Sequence, residues 1–139
     1  MKINYSKILK QNMLNVLRDV LKEIEKNGLI EGHHLYITFD TNTKNVIIPS
    51  WLKKKNPEIM TIVIQYEYWN LKVFEKKFEI LLSFNDIRSN LSIPFQSIIS
   101  FADPYANFGL KIKKFLKKKS LKKNKKDNII EFNKFKKLK

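Results

Sequence analysis

Between Tyr5 and Asn27 an apolar residue returns every three or four positions: Leu9, Met13, Val16, Leu17, Val20, Leu21 and Ile24. That spacing is the α-helical repeat, and Lys7, Lys10, Arg18, Lys22 and Glu25 fall outside it. The pattern predicts an amphipathic helix over 5–27, capped by Asn4 or Ser6 and ended by Gly28. The stripe is wider than a small domain needs to bury, so these apolar residues are the expected interface of a homodimer.

From His34 the period drops to two. Leu35, Ile37 and Phe39 alternate with Tyr36, Thr38 and Asp40, a half-buried strand. Asn42 to Asn45 form a polar turn, and Val46-Ile47-Ile48 reads as a short strand ended by Pro49. Ser50 to Pro57 reads as a helical turn capped by Ser50. Further strands are predicted over Ile59–Trp69, Leu71–Glu75 and Phe78–Phe84, the last ending at an Asn85-Asp86 turn. Leu91, Ile93 and Phe95 alternate again, and Ile98–Phe101 closes the set. About seven short strands behind one helix predict a mainly β, α+β domain, a small barrel or two-sheet sandwich.

After Gly109 the alternation collapses into a lysine run, which composition predicts to be a disordered basic tail. A second apolar cluster follows: Ile129, Ile130, Phe132 and Phe135 among Lys134, Lys136 and Lys137. A solubilising brush has no use for those four side chains. The expected organisation is a domain over 1–112, with the helix at 5–27 and the β part at 34–112. A linker over 113–127 and a docking segment over 128–139 follow.

Charge sharpens this division. Residues 1–110 hold 14 Lys and Arg against 11 Asp and Glu, a net of +3; residues 111–139 hold 14 Lys against two acids, a net of +12. A basic tail suits an acidic protein surface or a nucleic acid. With 26 Lys to two Arg, the chain nearly lacks the better phosphate fork, and its lysine, isoleucine and asparagine content fits an AT-biased genome. The 139 residues suit one domain, and the absence of cysteine excludes disulfides and thiolate metal sites. No signal-peptide pattern and no membrane-length apolar run is present, so a cytoplasmic location is expected.

Catalytic chemistry is poorly signalled. His33 and His34 are adjacent, so on a strand they point to opposite faces, and no third ligand lies near in sequence. Asp40 and Asp103 end strands, where turn capping is the simpler role. Three glycines make no phosphate loop, and no nucleophile elbow or metalloprotease helix is found. The chain reads as a binding protein rather than an enzyme, with no cofactor. Tyr66, Tyr68 and Trp69 either line a recognition groove or roof the barrel. Trp51 reads as a core plug.

Three segments, in this order, carry a resemblance: Tyr36-Ile37-Thr38-Phe39-Asp40-Thr41, Trp69-Asn70-Leu71-Lys72-Val73, and Ile93-Pro94-Phe95 followed by Ile98-Ile99-Ser100-Phe101. Over roughly 5–112 and again at the tail end, the chain resembles the SspB family of ClpXP adaptors, in its alphaproteobacterial branch. The resemblance implies a helix-mediated dimer and an Sm-like barrel whose groove holds an ssrA-tagged polypeptide in extended form. Carried onto this sequence, the groove residues are Gln65, Tyr66, Ser83, Phe84, Asn85 and Phe101. The segment resembling the family's docking element for the ClpX N-terminal domain contains Ile129, Ile130, Phe132, Phe135, Lys136 and Lys137. The chain departs from the family in its short basic linker, and in Asn85-Asp86 where relatives often carry a glycine pair. The alternative from a different class is an RNA- or ribosome-associated protein using the barrel and the lysine tail.

Overall fold

The computed structural model describes residues 2–113. The first element is helix α1, Tyr5–Asn27. The Asn4 side chain caps it by accepting the Lys7 N–H at 3.0 Å. Gly28, at φ 81°, closes it by donating its N–H to the Ile24 carbonyl at 2.8 Å. The strands are β1 (Leu35–Asp40), β2 (Ile59–Ile64), β3 (Tyr68–Val73), β4 (Lys77–Phe84), β5 (Ile87–Pro94), β6 (Ile98–Asp103) and β7 (Phe108–Lys111). A short helix α2, Ser50–Lys55, joins β1 to β2.

All described strand pairs are antiparallel and form two sheets, ordered β2-β1-β6-β7 and β3-β4-β5. The sheets do not close into one continuous ladder, so the β part is an unclosed barrel around a single core. Side-chain alternation sets that core. Leu35, Ile37 and Phe39 of β1, Met60, Ile62 and Ile64 of β2, and Phe78, Ile80 and Leu82 of β4 all point inward. Helix α1 covers it with Met13, Leu14, Leu17, Leu21 and Ile24. Full burial of Leu17 and Leu21 stabilises the fold by about 2 kcal/mol each. Two bonds tie the helix to β3 and the residues after it. The Val73 N–H donates to Glu25 Oε1 at 3.3 Å, and Arg18 Nη1 donates to the Glu75 carbonyl at 3.2 Å.

Several boundaries differ from the sequence reading. Val46–Ile48 is not a strand; only Ile47 pairs, through two 2.9 Å bonds with Ser92. The segment is pinned between Asn45, with φ 74°, and Pro49, which leaves no room for a ladder. The predicted Ile59–Trp69 strand breaks at 65–67, because β2 and β3 belong to different sheets and the chain must turn between them. The α2 cap is Pro49 with no side-chain bond, so Ser50 is the first helical residue rather than the cap. Strand β7 replaces the start of the predicted tail. Leu110 pairs with Phe101, and Ile112 is buried with its N–H on the Ile99 carbonyl at 2.7 Å.

Candidate functional site

Helix α2, the edge strand β2 and the β4–β5 hairpin meet around one open trough of about 560 Å³. Trp51, Leu52, Lys55 and Asn56 line it from α2 and its C-terminal cap, Met60 and Thr61 from β2, and Ser83, Phe84 and Asn85 from the end of β4 and its turn. Local sequence explains the walls. Pro49 starts α2, and the Asn56 side chain ends it by donating Nδ2 to the Leu52 carbonyl at 2.9 Å. The Thr61 hydroxyl is held by that of Thr38 at 2.8 Å. Asn85 and Asp86 both adopt left-handed backbone, φ 52° and 66°, in a two-residue hairpin loop closed by the Phe84–Ile87 pair. This is the turn geometry that favours glycine.

The trough's chemistry is mixed. Trp51 packs partly on the core while the Lys55 ammonium sits 5.8 Å from its ring centre. Lys55 is the charged residue of the lining, which contains no acid. Strand β2 ends its sheet, so its outer backbone groups can accept another extended chain.

Of the groove residues named from the resemblance, Ser83, Phe84 and Asn85 come together here. Gln65 is half-buried and Tyr66 exposed in the 65–67 crossover, outside the trough lining. Phe101 is buried between its register partners Ile37 and Leu110, with the Phe108 ring at 6.0 Å; it is a core residue. The aromatic run splits three ways. Tyr66 is exposed, Tyr68 packs on the core and accepts the Leu29 N–H at 3.1 Å, and Trp69 lies under the Arg88 guanidinium at 4.1 Å. The α2 wall was not legible beforehand, because nothing in the residues around Trp51 shows that they face the end of β4.

The apolar stripe of α1 also divides. Met13, Leu17, Leu21 and Ile24 are buried in the chain's own core, together with Leu14, which the stripe omitted. Val20 is partly buried, and Leu9 and Val16 remain 50% and 38% exposed. Tyr5 and Ile8 extend this free face. The residues named for docking, Ile129, Ile130, Phe132, Phe135, Lys136 and Lys137, lie outside the described residues.

His33 has the orienting partner its sequence neighbours did not suggest: its Nδ1 lies 2.6 Å from Asp103 Oδ2, and its ring meets Tyr105 edge-on at 4.7 Å. Asp103 also accepts the Ala106 N–H at 3.3 Å, so it caps the following turn as expected. His34 is buried, and neither ring nitrogen has a hydrogen-bond partner among the described residues. The described residues contain no cluster of three or more potential metal ligands, and none of their helices is long and apolar enough to cross a membrane.

A helix-covered, two-sheet β domain with one open trough at a sheet edge is a scaffold for recognition. None of the curated proteins matches the chain. The family of stringent starvation protein B, SspB, matches it over residues 7–134, and the chain belongs to that family. SspB proteins are protease adaptors rather than enzymes, which gives the chain a general role in regulated proteolysis.

Proposed function

We propose that the chain is a tethering adaptor of the alphaproteobacterial type, which holds ssrA-tagged polypeptides in its trough and delivers them to ClpXP. One observation carries the reading: the trough lies between an edge strand and a hairpin end, as an extended peptide needs. Backbone groups of β2 supply pairing, while the space between Trp51, Phe84 and Ser83 supplies side-chain pockets. Lys55 favours a tag with acidic or polar side chains. The C-terminal segment around Ile129, Ile130, Phe132 and Phe135 docks on the ClpX N-terminal domain, with Lys136 and Lys137 steering it toward an acidic surface. The free face of α1, with Tyr5, Leu9 and Val16, supports a homodimer through that helix. The working compartment is the cytoplasm.

The test is a titration of labelled ssrA-tag peptide against the purified protein, with a scrambled peptide as control. Saturable binding of the tag alone, little changed between low and moderate salt, supports the reading. Equal binding of both peptides overturns it. A steep loss of RNA binding with salt, in a protein that ignores the tag, favours the nucleic-acid alternative.

A further inference from the structure

We infer that a second, smaller pocket beneath α1 binds a compact oxyanion, a carboxylate or phosphoryl group, with Arg18 as its principal ligand. The pocket has a volume of about 240 Å³ and is more enclosed than the trough. Gln11, Leu14, Asn15 and Arg18 lie on one face of the helix by their helical spacing. They oppose Glu75 and Lys76 before β4 and Phe95 and Gln96 after β5.

One donor there lacks an acceptor. Arg18 spends Nη1 on the Glu75 carbonyl at 3.2 Å, but its Nε is buried and meets no acceptor among the described residues. No described carboxylate comes within 4.0 Å of the guanidinium: the ion pairs are His33–Asp103 and Lys77–Glu79. Glu75, the acid of the lining, offers Arg18 its backbone oxygen instead. Asn15 accepts Gln11 Nε2 through its Oδ1 at 3.2 Å, which leaves its amide N–H groups as further donors. Lys76 adds an ammonium with no described ion-pair partner. Leu14 and Phe95 provide apolar walls.

Further lysines lie near the pocket. An adjoining cavity shares Gln11, Leu14 and Gln96 and is lined by Lys7 and Lys10. Lys113 donates to the Gln96 carbonyl at 2.6 Å. Burial lowers the Lys113 pKa; Asp40 pulls it back up, and Lys10 adds a smaller lowering. A buried guanidinium N–H without an acceptor is costly, and an oxyanion beside Arg18 in the pocket offers it one once the side chain turns its Nε edge toward the pocket, in the charge-assisted geometry that arginine favours.

The experiment uses the full-length, nitrogen-15-labelled protein and follows the Arg18 Nε–H resonance. Inorganic phosphate and acetate are titrated separately, at constant ionic strength set with chloride. The expected result is a saturable shift of that resonance with at least one anion, and binding at least tenfold weaker in Arg18→Met, read from neighbouring amides. A response to phosphate alone assigns the phosphoryl group; a response to acetate alone assigns a carboxylate. Should Arg18→Met unfold early, Lys76→Gln, on an exposed side chain, carries the same test with a several-fold loss expected. The inference is overturned if neither anion gives a saturable shift, or if the folded variants bind as the parent does.

Discussion

Trp51 and Ser83 line the same trough, one from a short helix and the other from the far end of a hairpin strand. Ser83 lies on the face of β4 opposite the buried Ile80 and Leu82, so enlarging it fills the trough without entering the core. Ser83→Gln is expected to weaken tag binding at least tenfold, about 1.4 kcal/mol, at an unchanged melting temperature. Fluorescence anisotropy with labelled peptide measures the first and circular dichroism the second. A folded Ser83→Gln protein with parental affinity would move the tag site elsewhere.

Helix α1 gives a prediction with two arms. Leu9 and Val16 are solvent-exposed, so replacing both by Asp removes the free apolar face without touching the core. The variant is expected to remain folded and to run as a monomer in light scattering, where the proposal expects the parent to run as a dimer. Leu21 is fully buried, so Leu21→Asp forces a carboxylate into apolar surroundings at a cost of several kcal/mol and unfolds the protein. A parent that is monomeric at micromolar concentration removes the dimer from the proposal.

The contrast between those residues shows what the sequence could and could not reveal. Helical spacing located α1 and both its ends, because the stripe, Asn4 and Gly28 are all local signals. It could not show which part of the stripe the chain itself covers, since that depends on how the strands pack beneath it. The same limit applies to the trough. The Asn85-Asp86 turn was visible as turn chemistry, but its proximity to Trp51 is a tertiary fact. Phe101 was carried into the groove by resemblance, whereas its position between Ile37 and Leu110 makes it core. Strand β7 was missed because Phe108-Gly-Leu-Lys111 is short, contains a glycine and runs into the lysine-rich stretch.

Asp86 holds a left-handed φ of 66° at the second loop position of the hairpin, where glycine fits best. Asp86→Gly relieves that conformation and is expected to stabilise the protein by about 0.5 kcal/mol, after allowance for glycine's greater unfolded-state freedom. Urea denaturation measures it. A clear destabilisation would mean that the aspartate makes a contact outside the described set.

Asp103 serves two partners, the His33 ring and the Ala106 N–H, and so joins the loop before β1 to the turn after β6. Asp103→Ala removes both and is expected to cost about 2 kcal/mol by urea denaturation. Gly32→Ala attacks the same junction. Gly32 has φ 92°, and an added Cβ would come within 3.1 Å of the Tyr105 ring, which itself meets His33 edge-on. A cost of at least about 1 kcal/mol is expected. If both variants match the parent in stability, the junction carries no weight in the fold.

Removal of residues 128–139 separates capture from delivery. The trough lies within the described domain, so the truncated protein is expected to bind tag peptide with parental affinity. Accelerated degradation of tagged substrate by ClpXP should be lost, because Ile129, Ile130, Phe132 and Phe135 are gone. A tether works by raising the local substrate concentration to roughly the millimolar range. Its signature is therefore a lower apparent KM with little change in maximal rate, and truncation should raise KM alone. Substituting the four apolar residues by Ser in the full chain tests whether they are the anchors or whether the lysines suffice. A serine variant that still accelerates degradation at low salt and fails at high salt would assign docking to charge. A truncated protein that still accelerates degradation at low substrate concentration would rule out tethering by this segment.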